Sequence, residues 1–212
     1  MRLFWALCGM AFGLTACVQH EYGTAVAYLR HVHPKYEVVM PASAPPISQQ
    51  FMYEKAGGGP GHRGLDVAAS AGTPVLAAAP GRVTISMYEP AYGNRVVIEH
   101  GPDDTGRKVQ TLYFHLDKRQ VEIGQMVARG QQIGTLGETG LLSSFPHLHF
   151  EYHRETAPGA RTKSGNNWWQ GIEQLDPNAF WVNGPGRVTC APVDRAPAHK
   201  ITYPVVCRRN QS

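Results

Sequence analysis

The chain has 212 residues, of which 42% are apolar, so it is long enough to bury one hydrophobic core and too short for several full domains. It contains 23 glycines and 16 prolines, and only 17% of its residues are charged, which favours β-structure with many turns over helices with charged faces. The formal net charge of +4 is small, and the basic residues are scattered along the chain. It suits contact with an anionic polymer, but it does not predict a nucleic-acid-binding protein.

The N-terminal residues are typical of a secretion signal. Arg2 precedes an apolar stretch over 3–14, which is shorter than the roughly 20 residues that span a bilayer. The stretch ends in Leu-Thr-Ala-Cys at 14–17, which resembles the site where bacterial lipoproteins are cleaved and lipidated. We predict a lipoprotein signal peptide at 1–16 and a membrane-tethering lipid on Cys17. An ordinary signal peptide followed by an unrelated cysteine is the alternative.

Three segments follow the signal peptide. Residues 17–45 lack periodicity and end in a proline-rich stretch, which predicts a lipidated N-terminus and linker. Over 46–181, short β-type runs alternate with glycine-rich turns and no long helical stripe is present, which predicts one domain of antiparallel sheet. The polar stretch 154–175, which contains Trp168 and Trp169, is predicted to be a long surface loop. Residues 182–212 are predicted to form an irregular C-terminal tail.

The tail contains the two cysteines that remain in the exported part of the chain. Cys190 and Cys207 would face an oxidising compartment, where such pairs form disulfides, so we predict a Cys190–Cys207 bond. Zinc binding by the pair is the alternative, but no second pair of cysteines lies nearby.

Metal-ligating residue types occur in three places. His62 and Asp66 flank Gly64, which disfavours a helix and predicts a loop entering a strand. On a strand at 147–152, His147, His149 and Glu151 would share one face, while the apolar residues between them face the core. His115 ends an apolar run and is predicted to lie at a strand end.

Each of these motifs is weak alone, but together they form a mixed His/Asp set that suits zinc. Three protein ligands leave one position open for water, whose pKa zinc lowers toward about 7. The chain has no His-Glu-x-x-His segment to supply a glutamate base. A histidine would have to accept the proton, which its ordinary pKa permits.

These segments, in this order, resemble the lysostaphin/LytM-type zinc metallopeptidases of family M23. The resemblance spans about 46–181. The matching segments are His62-Arg-Gly-Leu-Asp66, the stretches 72–83 and 92–100, Thr111-Leu-Tyr-Phe-His-Leu116, the stretch 130–134, Pro146-His-Leu-His-Phe-Glu151, and Asp176-Pro177 with Phe180.

The resemblance implies an all-β fold, an antiparallel sheet core with a groove that carries Zn²⁺. It implies His62, Asp66 and His149 as metal ligands, and His147 and His115 as catalytic histidines, with His147 the favoured base. The implied function is hydrolysis of peptide cross-links in bacterial peptidoglycan. The implied location is outside the cytoplasm, on the periplasmic face of the outer membrane if the cell is Gram-negative.

Two other functions remain open at this point. Some relatives have lost ligands and regulate other wall enzymes as inactive scaffolds, whereas all five site residues are present here. A lipoprotein that binds wall polymer without cleaving it would leave that set of five unexplained. The segment 141–146 is longer and more apolar than in the family, which bears on substrate preference.

Overall fold

The structure, a computed structural model, describes residues 35–54, 60–160, 170–193 and 195–208. The predicted signal peptide, Cys17 and the pair Trp168 and Trp169 lie outside these residues. Within the described ranges the chain forms strands and one short 3-10 helix, Pro177–Ala179. The strands are β1 Ile47–Gln49, β2 Met52–Glu54, β3 Pro60–His62, β4 Leu65–Ala68, β5 Pro74–Leu76, β6 Gly81–Glu89, β7 Gly93–Pro102, β8 Lys108–Arg119, β9 Met126–Val127, β10 Gln132–Leu136, β11 His147–Glu155 and β12 Ile172–Leu175.

The strands form one large sheet and one separate hairpin. The main path through the sheet is β1-β4-β11-β8-β7-β6-β9, and β10 joins it through β8 and carries β5. β2 and β3 pair with each other. All of these pairings are antiparallel, so the predicted all-β antiparallel fold is confirmed. In the part of the chain that the structure describes, no helix is long and apolar enough to cross a membrane.

Strand β11 separates the core of the protein from the candidate site. Leu148, Phe150 and Tyr152 are fully buried in the main hydrophobic core, as the alternation of the sequence predicts. His147, His149 and Glu151 lie on the other face of the strand. That second face has its own small apolar cluster on the neighbouring strands β7 and β8, formed by Val97, Leu112 and Phe114.

Strand β8 differs from the prediction at His115, which lies inside the strand rather than at its end. Asn94 pairs with Leu116 and Val96 pairs with Tyr113, so β8 has one more residue than β7 over this stretch. This is a β-bulge, and His115 occupies it with a φ of 61°, in the left-handed region that histidine tolerates better than most residues. The bulge changes which face of the sheet His115 can reach.

The prediction of one long loop over 154–175 is wrong at both of its ends. β11 continues to Glu155, and β12 pairs with it from Tyr152 opposite Leu175 to Glu155 opposite Ile172. Polar residues obscured this hairpin in the sequence, because a strand at the edge of a sheet needs few apolar residues. The hairpin brings β12 beside the strand that carries His147 and His149.

The described residues on either side of the predicted domain pack against its core. Ile201, Tyr203 and Val205 of the tail are buried in the main cluster, and Val38, Met40 and Ala44 pack against it. A disulfide joins Cys190 to Cys207 within the tail. The guanidinium of Arg129 donates to the carbonyls of Ala78 and Lys200, at 2.8 Å each, which holds the tail against the sheet. The domain boundaries at 45/46 and 181/182 remain predictions.

The tail packing predicts that truncation of two apolar tail residues, one buried and one partly exposed, changes stability to different extents. Ile201→Ala should lower the free energy of unfolding by about 3 kcal/mol, because it removes buried methyl groups and leaves a cavity. Val206→Ala, at a side chain that is 36% exposed, should change it by less than about 0.5 kcal/mol. Chemical denaturation of both variants measures the difference, and equal losses would contradict the packing.

Candidate metal centre

Three strand segments bring His62, Asp66 and His149 together. Asp66 on β4 lies directly opposite His149 on β11 in the antiparallel ladder. His62 ends β3, and the chain then passes Gly64 before it enters β4. A Cβ atom at Gly64 would lie 2.5 Å from the carbonyl oxygen of Phe150, so only glycine allows this approach to β11. This close approach of Gly64 to β11 places His62 beside Asp66 and His149.

The ligand-type atoms of these residues are mutual neighbours. Asp66 Oδ1 lies 3.0 Å from His62 Nε2 and 2.8 Å from His149 Nδ1. The two imidazole nitrogens are 3.0 Å apart. The three atoms lie close enough to one another to bind one small ion together. The structure therefore brings together the three residues predicted as metal ligands.

The outward nitrogen of each imidazole ring has an acceptor of its own. His62 Nδ1 donates to the carbonyl of Gln50 over 2.9 Å, because a carbonyl oxygen can only accept. His149 Nε2 donates to Glu151 Oε1 over 3.0 Å. In their neutral forms the two rings consequently direct the lone pairs of His62 Nε2 and His149 Nδ1 at the same point as the carboxylate of Asp66.

Such a convergence of acceptors requires a positive charge at its centre. Burial alone would raise the pKa of Asp66, but hydrogen bonding with His149 and His62 holds that pKa well below its ordinary value. Burial lowers the pKa of His149, but hydrogen bonds with Asp66 and Glu151 outweigh it and raise the pKa to about 10. A proton fills the role when no ion is bound, and a divalent cation would replace it. Two imidazoles and one carboxylate fit zinc.

His115 and His147 lie side by side next to these ligands. Their ring centroids are 4.8 Å apart, and His147 Nε2 lies 3.8 Å from Asp66 Oδ1. Each Nδ1 donates to a backbone carbonyl over 2.8 Å, that of Thr139 for His115 and that of Phe145 for His147. In the neutral form, Nε2 of each ring is therefore an acceptor.

Burial affects the protonation of both histidines. It lowers the pKa of His115 to about 4 and also lowers the pKa of His147. Both rings are therefore neutral near pH 7, in the form that can accept a proton. All five site residues predicted from the sequence meet in one cluster.

Sequence reasoning missed the groups that orient the rings. The carbonyls of Gln50, Thr139 and Phe145 belong to the backbone, so no residue type identifies them. Glu151 was identifiable, because its period-two spacing places it on the face of His147 and His149. Its role as the acceptor for a ligand histidine required the structure.

Residues 60–161 match the model of "Peptidase family M23". Two curated relatives are similar over part of this chain. The peptidoglycan DD-endopeptidase ShyC of Vibrio cholerae is 45% identical over 91 residues, which are 43% of this chain and 20% of the relative. The DD-carboxypeptidase/endopeptidase Mpg of Neisseria meningitidis is 43% identical over 90 residues, which are 42% of this chain and 19% of the relative.

Among solved structures, the catalytic domain of lysostaphin from Staphylococcus simulans is 32% identical, with 49% of this chain and 76% of that chain covered and a TM-score of 0.42. Residues 60–161 of this chain are therefore similar to peptidase family M23. The chain spans about a fifth of the length of the two curated relatives.

For this chain we expect one zinc ion per molecule and the release of a proton on binding. The proton comes from His149, whose pKa of about 10 keeps it protonated at neutral pH until an ion takes its place. Affinity should therefore rise with pH in that range. Calorimetry in buffers of different ionisation enthalpy measures the released protons.

Variants test the assignment of the ligands. His62→Ala and His149→Ala should lose stoichiometric zinc, whereas His199→Ala, which changes a histidine paired with the exposed Asp104, should keep it. Zinc is measured by elemental analysis after dialysis. Retention of stoichiometric zinc by both ligand variants would refute the site.

Proposed function

We propose that this chain is a zinc-dependent endopeptidase that hydrolyses peptide cross-links of bacterial peptidoglycan. The observation that carries the proposal is the cluster itself, in which three convergent metal-ligand atoms have two neutral histidines beside them. The substrate class is supported by the relatives ShyC and Mpg, whose names describe a peptidoglycan DD-endopeptidase and a DD-carboxypeptidase/endopeptidase.

His62, Asp66 and His149 would hold the zinc ion. When bound, zinc polarises the carbonyl of the scissile peptide bond and lowers the pKa of the attacking water. The protein side of the site keeps the ligands in place, because both ligand histidines are hydrogen-bonded on their outward nitrogens. The ligand atoms are thus positioned before substrate arrives.

His147 is the best-placed general base. Its Nε2 carries the lone pair, faces the ligands and lies 3.8 Å from Asp66 Oδ1. Its Nδ1–H is engaged with the carbonyl of Phe145, so the ring accepts a proton only at Nε2. After accepting the proton, the same nitrogen can donate it to the departing amine.

His115 is the second histidine beside the ligands, and we propose that it stabilises the developing oxyanion. That role needs a proton on Nε2 in addition to the one that Nδ1 shares with Thr139. Burial opposes this second proton, since it lowers the pKa of His115 to about 4. Negative charge that develops on the substrate would favour it. His115 would therefore take up a proton from solvent at Nε2 as that charge develops, donate a hydrogen bond to the oxyanion, and return the proton to solvent when the charge is lost.

An inactive scaffold is the second function that the sequence left open. Nothing in the site favours it, because the three ligands and both histidines are brought together. Digestion of peptidoglycan decides between the two. The purified chain should release muropeptides from sacculi, and mass spectrometry of the products identifies the bond that is cut.

We predict that His147→Ala lowers the rate of muropeptide release by about 100-fold or more, because it removes proton transfer and leaves the ligands intact. The variant should retain zinc. His199→Ala, outside the site, is the control and should keep full activity. Absence of release by the unchanged, zinc-loaded chain would support the scaffold instead.

We also propose that the chain is an exported lipoprotein, attached to a membrane by a lipid on Cys17. The apolar stretch that ends in Leu-Thr-Ala-Cys supports this, and the Cys190–Cys207 disulfide is consistent with an oxidising compartment. A peptidoglycan substrate would likewise place the enzyme outside the cytoplasm. In a Gram-negative cell the proposed location is the periplasmic face of the outer membrane.

The anchor predicts a change in fractionation. With Cys17→Ala, the chain should lose incorporation of labelled fatty acid and leave the membrane fraction, because a lipid supplies the attachment. Cys190→Ala, which leaves the predicted lipid site unchanged, should still be labelled. Labelling of the Cys17→Ala chain would contradict the anchor.

A further inference from the structure

A buried network of side chains leads from the metal centre along β11 to β12. His149, Glu151 and His153 alternate along one face of β11, with the carboxylate between the two rings. Glu151 Oε1 accepts from His149 Nε2 over 3.0 Å, and Oε2 accepts from His153 Nε2 over 2.5 Å. Gln174 on β12 donates to Oε2 over 3.3 Å. Both carboxylate oxygens are thus engaged.

The network is enclosed by protein. Glu151 is 5% exposed and His153 is fully buried. A buried carboxylate is costly unless donors surround it, and here the donors are His149, His153 and Gln174. Removing one of them would allow the Glu151 side chain to shift toward other donors or water. Such a shift would also release the ring of His149, which has its outward hydrogen bond there.

His153 is difficult to explain as a packing residue. Its Nδ1 is buried and has no hydrogen-bond partner among the described residues. An unpaired buried nitrogen lowers stability, so an apolar side chain of similar size would serve a purely structural role better. What an apolar side chain could not supply is the hydrogen bond from Nε2 to Glu151.

We propose that His153 is a positioning residue for the metal centre, which acts through Glu151 to hold the ring of His149 in its metal-binding orientation. Gln174 is a second support for the same carboxylate. This inference rests on the proposed zinc site and extends it beyond the residues that contact the ion. It also gives the β11–β12 hairpin a part in metal binding.

Zinc affinity of the full chain, measured by competition with a chromophoric chelator, tests this role. His153→Leu should weaken zinc binding about tenfold, the lower end of what loss of an orienting partner causes. His153→Gln should keep most of the affinity, because its amide nitrogen reaches about where Nε2 lies. His153→Asn, whose amide is closer to the position of Nδ1, should bind zinc as weakly as His153→Leu.

Arg154→Leu is the matched control. Arg154 is the next residue on β11 and donates to Glu173 on β12 over 2.8 Å, so the change removes a contact with the same hairpin. Its zinc affinity should equal that of the unchanged chain. An equal loss in Arg154→Leu and His153→Leu would overturn the proposal, because it would show a general effect of the hairpin.

Further outcomes decide against the proposal. His153→Leu could bind zinc as tightly as the unchanged chain, which would refute it. If His153→Leu does not fold, His153→Gln and His153→Asn decide, and equal zinc affinities of these two would also refute it. Because zinc is measured without substrate, a chain that binds zinc but releases no muropeptides contradicts only the proposed function.

Discussion

The hydrogen bond between His149 Nε2 and Glu151 determines which nitrogen of that ring faces the other ligands. The same constraint recurs across the site, since His62, His115 and His147 each donate Nδ1–H to a backbone carbonyl. An imidazole held this way presents one lone pair in one direction. The metal centre thus depends on acceptors that lie behind the rings. Strand β11 supplies Glu151, and loop residues next to the strands supply the three carbonyls.

The bulge in β8 is the backbone feature that completes the site. Phe114 contacts His149 on the metal-bearing face, so in a regular strand the next residue, His115, would point into the core. The bulge turns His115 back to the same face as Phe114, where it meets His147, and returns Leu116 to the core. A single added residue therefore satisfies both the core and the site.

Some of these features could be predicted from the sequence, and others depend on how the strands pair. The alternation in 147–152 correctly predicted which side chains of β11 face the core, and the all-β antiparallel sheet followed from the spacing of short β-type runs. The bulge at His115 was beyond reach, because it depends on how β8 pairs with β7 rather than on local composition. β12 was missed for a related reason: its polar residues are held by pairing with β11 and by ion pairs such as Arg154 with Glu173.

The balance of buried charge connects the metal ligands to the network behind them. Asp66 and Glu151 are both buried, and hydrogen bonds hold the pKa of each well below its ordinary value despite the opposing effect of burial. Two buried carboxylates need two positive charges nearby if neither is to become protonated. A divalent ion supplies both charges while leaving the imidazoles neutral, and neutral imidazoles are the form in which His62 and His149 bind metal. Glu151 therefore contributes one of the two negative charges that a divalent ion would balance, although it would not contact the ion.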